Sequence, residues 1–269
     1  MNMNRSFHFL PADNTKFLEK SKGIDADILI YDLEDAVAET NKNLARKNIS
    51  NLNLNSNHIF IRINSFNSKH IEEDLKLVKT LPSEIGIVLP KTQSITNITD
   101  VIKQLNRNIK IITLIENITA LTTCNQFLSH PMIFAAGLGV EDLLTNLPYK
   151  NDNLNVLIDS LRFELIKYSW TNKILPIDII STETKDISNF QSDCLKSRSM
   201  GFTAKFSIHP NQLNTINNTF CPNSEELEWA NTITAHSRDE NSGYKIHEDG
   251  ILTTPPKIKK ALNILKYEE

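Results

Sequence analysis

Eight short runs of β-branched and aromatic residues recur along this 269-residue chain, each followed by a stretch long enough for a helix. The runs are Ser6–Leu10, Ile28–Leu33, His58–Ile63, Ile85–Leu89, Lys110–Ile115, Met132–Ala136, Ile174–Ile179 and Ala204–Ile208. Helical spacing marks the segments between them: Asn14–Lys22, Asn41–Ile49, His70–Leu81, Ile95–Leu105, Thr119–Leu128, Leu154–Ser169 and Ile187–Ser199, with Asn211–Asn217 after the eighth run. Within one of these, Ile95, Ile98, Val101, Ile102 and Leu105 keep the i, i+3, i+4 periodicity of an amphipathic helix. Ile28-Leu29-Ile30-Tyr31 and Ile111-Ile112-Thr113-Leu114-Ile115 are instead apolar on both faces, as parallel strands covered by helices are. Eight strand–helix repeats predict an α/β fold, a (β/α)8 TIM barrel, with a doubly wound sheet as the rival arrangement.

No composition break or flexible linker divides residues 1–222, which are expected to form the barrel as one domain. Residues 223–269 are read as a C-terminal helical arm. A helix over Ser224–His236 comes first, then a polar stretch over Arg238–Pro256, then a last helix over Pro255–Tyr267, packed on the barrel or on a neighbouring subunit. Only seven glycines occur, where average usage of roughly 7% would supply about nineteen. No G-x-G-x-x-G or G-x-x-x-x-G-K-[ST] pattern is present, which argues against a dinucleotide or P-loop site. The net charge is −3 and no long basic run occurs, so neither nucleic acid nor an anionic membrane is an expected partner. Cys124, Cys194 and Cys221 form no C-x-x-C pair. The stretch Met1–Pro11 has no apolar h-region and no segment approaches a membrane span, so a cytoplasmic location is expected.

Polar residues fall where the strands end, the face on which barrel active sites lie. The second run closes on Asp32-Leu33-Glu34-Asp35, the third carries Arg62, the fourth ends in Leu89-Pro90-Lys91 and the fifth in Ile115-Glu116. The sixth leads into Gly137-Leu138-Gly139-Val140-Glu141-Asp142, the seventh ends at Asp178, and the eighth supplies Lys205 and then His209-Pro210. Taken singly, such residues also serve as helix caps, and Glu34-Asp35 and Asp142 are open to that reading. Arg62 is different: between Ile61 and Ile63 on a barrel strand it points inward and requires an anion there.

Together these groups supply the parts of a divalent-metal site for an anionic substrate. Glu116 and Asp142, on adjacent strands, could hold Mg2+ and leave positions for water and substrate oxygens. Arg62 offers a bidentate fork for a carboxylate. Backbone N–H groups of Gly139, Val140 and Glu141 offer a second place for negative charge. A keto acid, or an enolate forming beside the metal, suits such a site.

These residues, in this order, resemble the citrate lyase beta-subunit-like branch of the HpcH/HpaI aldolase/citrate lyase family. The likeness runs from Arg5-Ser6-Phe7 and Phe9-Leu10-Pro11-Ala12-Asp13 through Asp32-Leu33-Glu34-Asp35-Ala36-Val37, Lys42, Ala45-Arg46, Arg62-Ile63-Asn64 and Leu89-Pro90-Lys91. It continues through Ile115-Glu116, Gly139-Val140-Glu141-Asp142-Leu143, Ile177-Asp178, Gly201-Phe202, Lys205 and Ile208-His209-Pro210-Asn211-Gln212 to Phe220-Cys221-Pro222-Asn223. The resemblance implies a Mg2+-dependent carbon–carbon lyase acting on a 3-hydroxyacyl thioester of the citryl-, malyl- or citramalyl-CoA type. Its small-molecule partners would be a keto acid and an acyl-CoA or carrier-protein thioester, and the assembly a homo-oligomer, a trimer or hexamer. Carried over, Glu116 and Asp142 are the metal ligands, Arg62 clamps the keto acid carboxylate, and Asp35 hydrogen-bonds metal-bound water. Glu34 and Lys91 match family positions among the catalytic set. One departure stands out. Where relatives carry G-x-M-[IV]-D-x-P, with an Asp that handles protons in a neighbouring subunit's site, this chain reads Gly250-Ile251-Leu252-Thr253-Thr254-Pro255. Thr253 is no carboxylate base, so a keto-acid-binding accessory subunit without thioester chemistry is the alternative, and an aldolase of free keto acids a third.

Overall fold

The computed structural model describes residues 4–54, 56, 58–145, 154–236, 244–247 and 250–266. Eight parallel strands, β1 (Ser6–Pro11), β2 (Ile28–Asp32), β3 (Ile59–Arg62), β4 (Gly86–Leu89), β5 (Ile111–Ile115), β6 (Ile133–Leu138), β7 (Leu175–Asp178) and β8 (Ala204–Ser207), close into a barrel in sequence order. The seam is the β1–β8 ladder, in which Phe7 pairs with Phe206. Between the strands run α1 (Thr15–Lys20), α2 (Lys42–Ser50), α3 (Ile71–Thr80), α4 (Ile95–Leu105), α5 (Ile118–Thr123), α6 (Asn125–Leu128), α7 (Val140–Leu144), α8 (Asn155–Asn172) and α9 (Ile187–Met200), with α10 (Leu213–Thr219) after β8. The expected TIM barrel is therefore the fold, and the doubly wound alternative is excluded by the closure of β1 onto β8.

The interior is filled from alternate strand positions: Phe7, Ile28, Ile30, Phe60, Val88, Ile112, Leu114, Ile177 and Phe206 form one buried cluster. Phe206 is accommodated by Gly137, where a Cβ would lie 2.3 Å from the Phe206 ring. Helix α4 shows how local sequence sets an element. Ser94 and Asn97 form a capping box at its start, Ile98, Val101 and Leu105 face the barrel, and Asn106 ends it in the left-handed region. Where one helix is expected over Thr119–Leu128, two short ones form. The hydroxyls of Thr122 and Thr123 both donate to the Thr119 carbonyl, competing with the helical ladder and bending the chain.

Residues Asn4–Asn217 form one compact unit, and the described residues from Asn218 onward a second. In the second unit α11 (Ser224–Ala235) and α12 (Pro255–Leu265) bury Ala230, Ile233 and Ala261 between them. A two-stranded antiparallel ribbon, β9 (Lys245–Ile246) with β10 (Leu252–Thr253), lies in the polar arm, where strands of two residues leave no readable alternation. Thr253 is buried there, its Oγ1 2.9 Å from Nε2 of His247. Residues 237–243 and 248–249 of the arm, and Tyr267 of the last expected helix, lie outside the described residues. Among the described residues, no helix is long and apolar enough to cross a membrane.

Candidate active site

The period-2 alternation that fills the barrel also builds the site. Asp32, Arg62 and Glu116 each stand two residues beyond an inward apolar side chain, namely Ile30, Phe60 and Leu114, so they rise from the core at the C-terminal mouth. Asp32 and Arg62 are also register partners across β2 and β3. The two carboxylate oxygens of Asp32 accept from Nε and Nη2 of Arg62 at 2.7 and 2.5 Å. The same oxygens accept from the backbone N–H groups of Glu34 and Ala36, at 2.8 and 3.2 Å. The anion required by Arg62 is thus Asp32, and the bidentate edge expected to meet a substrate carboxylate is occupied. Nη1 of Arg62 lies 3.2 Å from Oε2 of Glu34, and the guanidinium rests over the Phe9 ring.

The sequence alone assigns Asp32 no role. The signal for it was its inward position beside Arg62. Lys42, likewise without a role, donates to the carbonyls of Leu33 and Glu34 and to Oδ1 of Asn64 at 2.7–2.9 Å. It thereby anchors the Asp32–Asp35 turn from below.

Glu116 is 6% exposed, and burial, together with the nearby Glu34 and Asp142 carboxylates, pushes its carboxyl up to about 8. Its Oε2 is buried with no hydrogen-bond partner among the described residues. Gly139 makes room for this side chain: a Cβ there would sit 2.6 Å from Cγ of Glu116 and 3.2 Å from Oε1. The Gly139 N–H donates to the Ile115 carbonyl at 3.1 Å. Among the three N–H groups expected to receive negative charge, that of Gly139 is therefore spent on the sheet. Val140, Glu141 and Asp142 form the first turn of α7, whose start has no side-chain cap, so Asp142 is not serving as one.

Lys91 ties the remaining acids together. Its backbone has φ of 50°, in the left-handed region. Its Nζ lies 3.1 Å from Oε1 of Glu34, 3.9 Å from Oδ1 of Asp35 and 4.0 Å from Oδ2 of Asp142. Glu34 is buried between Lys91 and Arg62, and burial raises its carboxyl above the ordinary range although both cations oppose the shift. Glu34 and Asp35 are thus part of the cluster rather than helix caps.

A cavity of about 690 Å³ opens over these groups, with Ile158, Ile180 and Phe190 as its apolar wall. Among its lining residues the acids Asp32, Asp35, Glu116, Glu141, Asp142, Glu183 and Asp193 outnumber the cations Arg62 and Arg162. An excess of carboxylates around an unbonded, buried carboxylate oxygen fits a hard divalent cation. Among the described residues no three His, Cys, Asp or Glu side chains are grouped closely enough to cage a metal.

The other polar strand ends lie elsewhere. Asp178 and Lys205 have the opposite parity and point away from the barrel axis, so they do not join the rim. Asp178 pairs with Nε and Nη2 of Arg162 on α8 at 2.8 and 2.7 Å and with Nζ of Lys205 at 2.6 Å, and Lys205 also reaches Asp193 on α9. This buried network joins strands to helices. His209 caps the short 3-10 turn at Pro210–Gln212.

Comparison with known proteins agrees with the fold. The model of the HpcH/HpaI aldolase/citrate lyase family matches residues 5–210. The (3S)-malyl-CoA thioesterase of Cereibacter sphaeroides is 27% identical over 97% of this chain and 91% of its own length. Human mitochondrial citramalyl-CoA lyase is 25% identical over 96% of this chain and 84% of its own. The crystal structure of protein CitE from Mycobacterium tuberculosis, in complex with magnesium, acetoacetate and coenzyme A, superposes with a TM-score of 0.82 over 98% of both chains at 22% identity. With about three quarters of its length matched, the chain belongs to the HpcH/HpaI aldolase/citrate lyase family, a family of carbon–carbon lyases.

Proposed function

We propose that the chain is a Mg2+-dependent lyase that splits a 3-hydroxyacyl thioester of the citryl-, malyl- or citramalyl-CoA type into an acyl thioester and a keto acid. The observation that carries this reading is the buried, unbonded Oε2 of Glu116 facing a mouth that holds Asp142 and Arg62. Glu116 and Asp142 are the residues that would hold the cation. When bound, Mg2+ supplies Lewis-acid polarisation of substrate oxygens. Arg62 is fixed by Asp32 along one edge, and its Nη1, 3.2 Å from Oε2 of Glu34, is the nitrogen that would turn a charge-assisted N–H toward a substrate carboxylate.

Cleavage requires that the 3-hydroxyl lose its proton, that the C2–C3 pair shift onto the thioester, and that C2 then gain a proton. We assign the first transfer to Glu34. It is buried, its proton affinity is raised by burial, and it is steadied by Arg62. Asp35, more than half exposed at the mouth, orients water there. Thr253 is hydrogen-bonded to His247 within its own ribbon, so no group of the arm is assigned to the protonation of C2.

A second reading is hydrolysis of the same thioester, favoured by the similarity to (3S)-malyl-CoA thioesterase along nearly the whole chain. One experiment separates the two. Purified protein with Mg2+ is given malyl-CoA and citramalyl-CoA, and keto acid and free thiol are followed in parallel. Keto acid without free CoA is the expected outcome. Free CoA with intact hydroxy acid would assign hydrolysis, and binding of keto acid with neither product would assign an accessory role.

A further inference from the structure

We propose that Lys91 is a resident counter-ion of the carboxylate cluster, displaced when a divalent cation enters, and that it thereby sets the affinity for that cation. The inference rests on the metal site proposed above and concerns what competes for it.

Three carboxylates from two strand ends, Glu34 and Asp35 after β2 and Asp142 after β6, lie within 4.0 Å of one ammonium. Lys91 reaches them from a third strand end, after β4, because its backbone adopts φ of 50°. The next residue, Thr92, is pinned by donation of its N–H to the Leu114 carbonyl and of its hydroxyl to that of Leu89. That left-handed conformation is held at low cost by glycine and at higher cost by an L-residue such as lysine. Strain of this kind persists where the side chain it delivers has a task. The ammonium compensates carboxylates that would otherwise repel one another beside Glu116. Of the two proposed metal ligands Asp142 is the one within 4.0 Å of this ammonium, and an ammonium and a dication drawn to one carboxylate repel each other at contact distance. Lys91 is 38% exposed at its side chain, so it has solvent to retreat into when displaced.

The test is Mg2+ binding by isothermal titration calorimetry on wild type, K91Q, K91G and E116Q, with thermal unfolding to show that each is folded. Both Lys91 variants remove the ammonium, and K91G also removes the backbone strain, so at least one folded variant is secured. Removal of the competitor is expected to tighten Mg2+ binding by roughly tenfold, equal to about 1.4 kcal/mol. It should also enlarge the rise in melting temperature that Mg2+ gives. Equal or weaker Mg2+ binding by both Lys91 variants, alongside a wild-type site abolished in E116Q, overturns the role of Lys91 and leaves the proposed metal site standing. A wild-type Mg2+ affinity unchanged in E116Q overturns the metal site itself. Absence of binding in wild type and both Lys91 variants overturns both.

Discussion

Substitution of Gly139 by alanine adds one methyl group at the point where the site has no space. The new Cβ would lie 2.6 Å from Cγ of Glu116 and 3.0 Å from its Cδ. Carbon atoms pack at roughly 3.5–4.0 Å, so the Glu116 side chain must retreat by about 1 Å. Backbone geometry does not oppose the change, because Gly139 has φ of −92°, which alanine adopts freely. The effect therefore lies in the contact. Overpacking of a filled interior costs about 1–3 kcal/mol, which urea unfolding would register. A 1 Å displacement of a group that must meet a reacting centre costs roughly 100-fold in kcat/KM. G139A should thus remain folded, with Mg2+ affinity and turnover both falling steeply. Gly23 provides the control: no atom lies within 4 Å of the position its Cβ would take, so G23A should leave every measurement unchanged. Wild-type Mg2+ affinity and turnover in G139A would refute the claim that this glycine exists to seat Glu116.

Further outcomes follow from other parts of the molecule. His8, buried at the β1–β8 seam with Nδ1 3.0 Å from Oγ of Ser207, is lowered to about 4 by burial and by nearby His209. Its folded-state value is below the unfolded value near 6.5, so the neutral ring stabilises the fold fully above pH 6.5. That contribution, about 3 kcal/mol, is lost as pH falls from 6.5 toward 4. Urea midpoints across this range should fall in wild type and fall less in H8N. Replacing Lys205 by methionine leaves Asp178 and Asp193 without one of their cations in a buried network and should cost about 3–5 kcal/mol in chemical unfolding, with Mg2+ affinity kept. D32N releases the bidentate edge of Arg62 and should lower kcat/KM at least tenfold while costing about 3 kcal/mol, and an unchanged KM for the keto acid in the synthetic direction would count against Arg62 as the carboxylate contact.

Much of this protein is readable before any coordinates. Strand and helix periodicities alternate cleanly enough to identify all eight strands, and Ile95–Leu105 is a helix between the residues its pattern marks. Period-2 alternation also points Arg62 and Glu116 inward, because their parity is that of Phe60 and Leu114. The same parity places Lys205 and Asp178 outside the rim, yet counting polar residues at strand ends grouped them with the site. The β9–β10 ribbon was not readable, since two-residue strands have no period.

What the amino-acid order determined is which residues reach the barrel mouth, because side-chain direction along a strand is a local property. Partnership was decided only by the closed barrel. Asp32 takes the fork of Arg62, Gly139 yields its Cβ volume to Glu116, and Lys91 bridges Glu34, Asp35 and Asp142. Each of these pairs joins residues far apart in sequence, and neither the distance between them nor the burial that sets their charge exists until the strands are laid side by side.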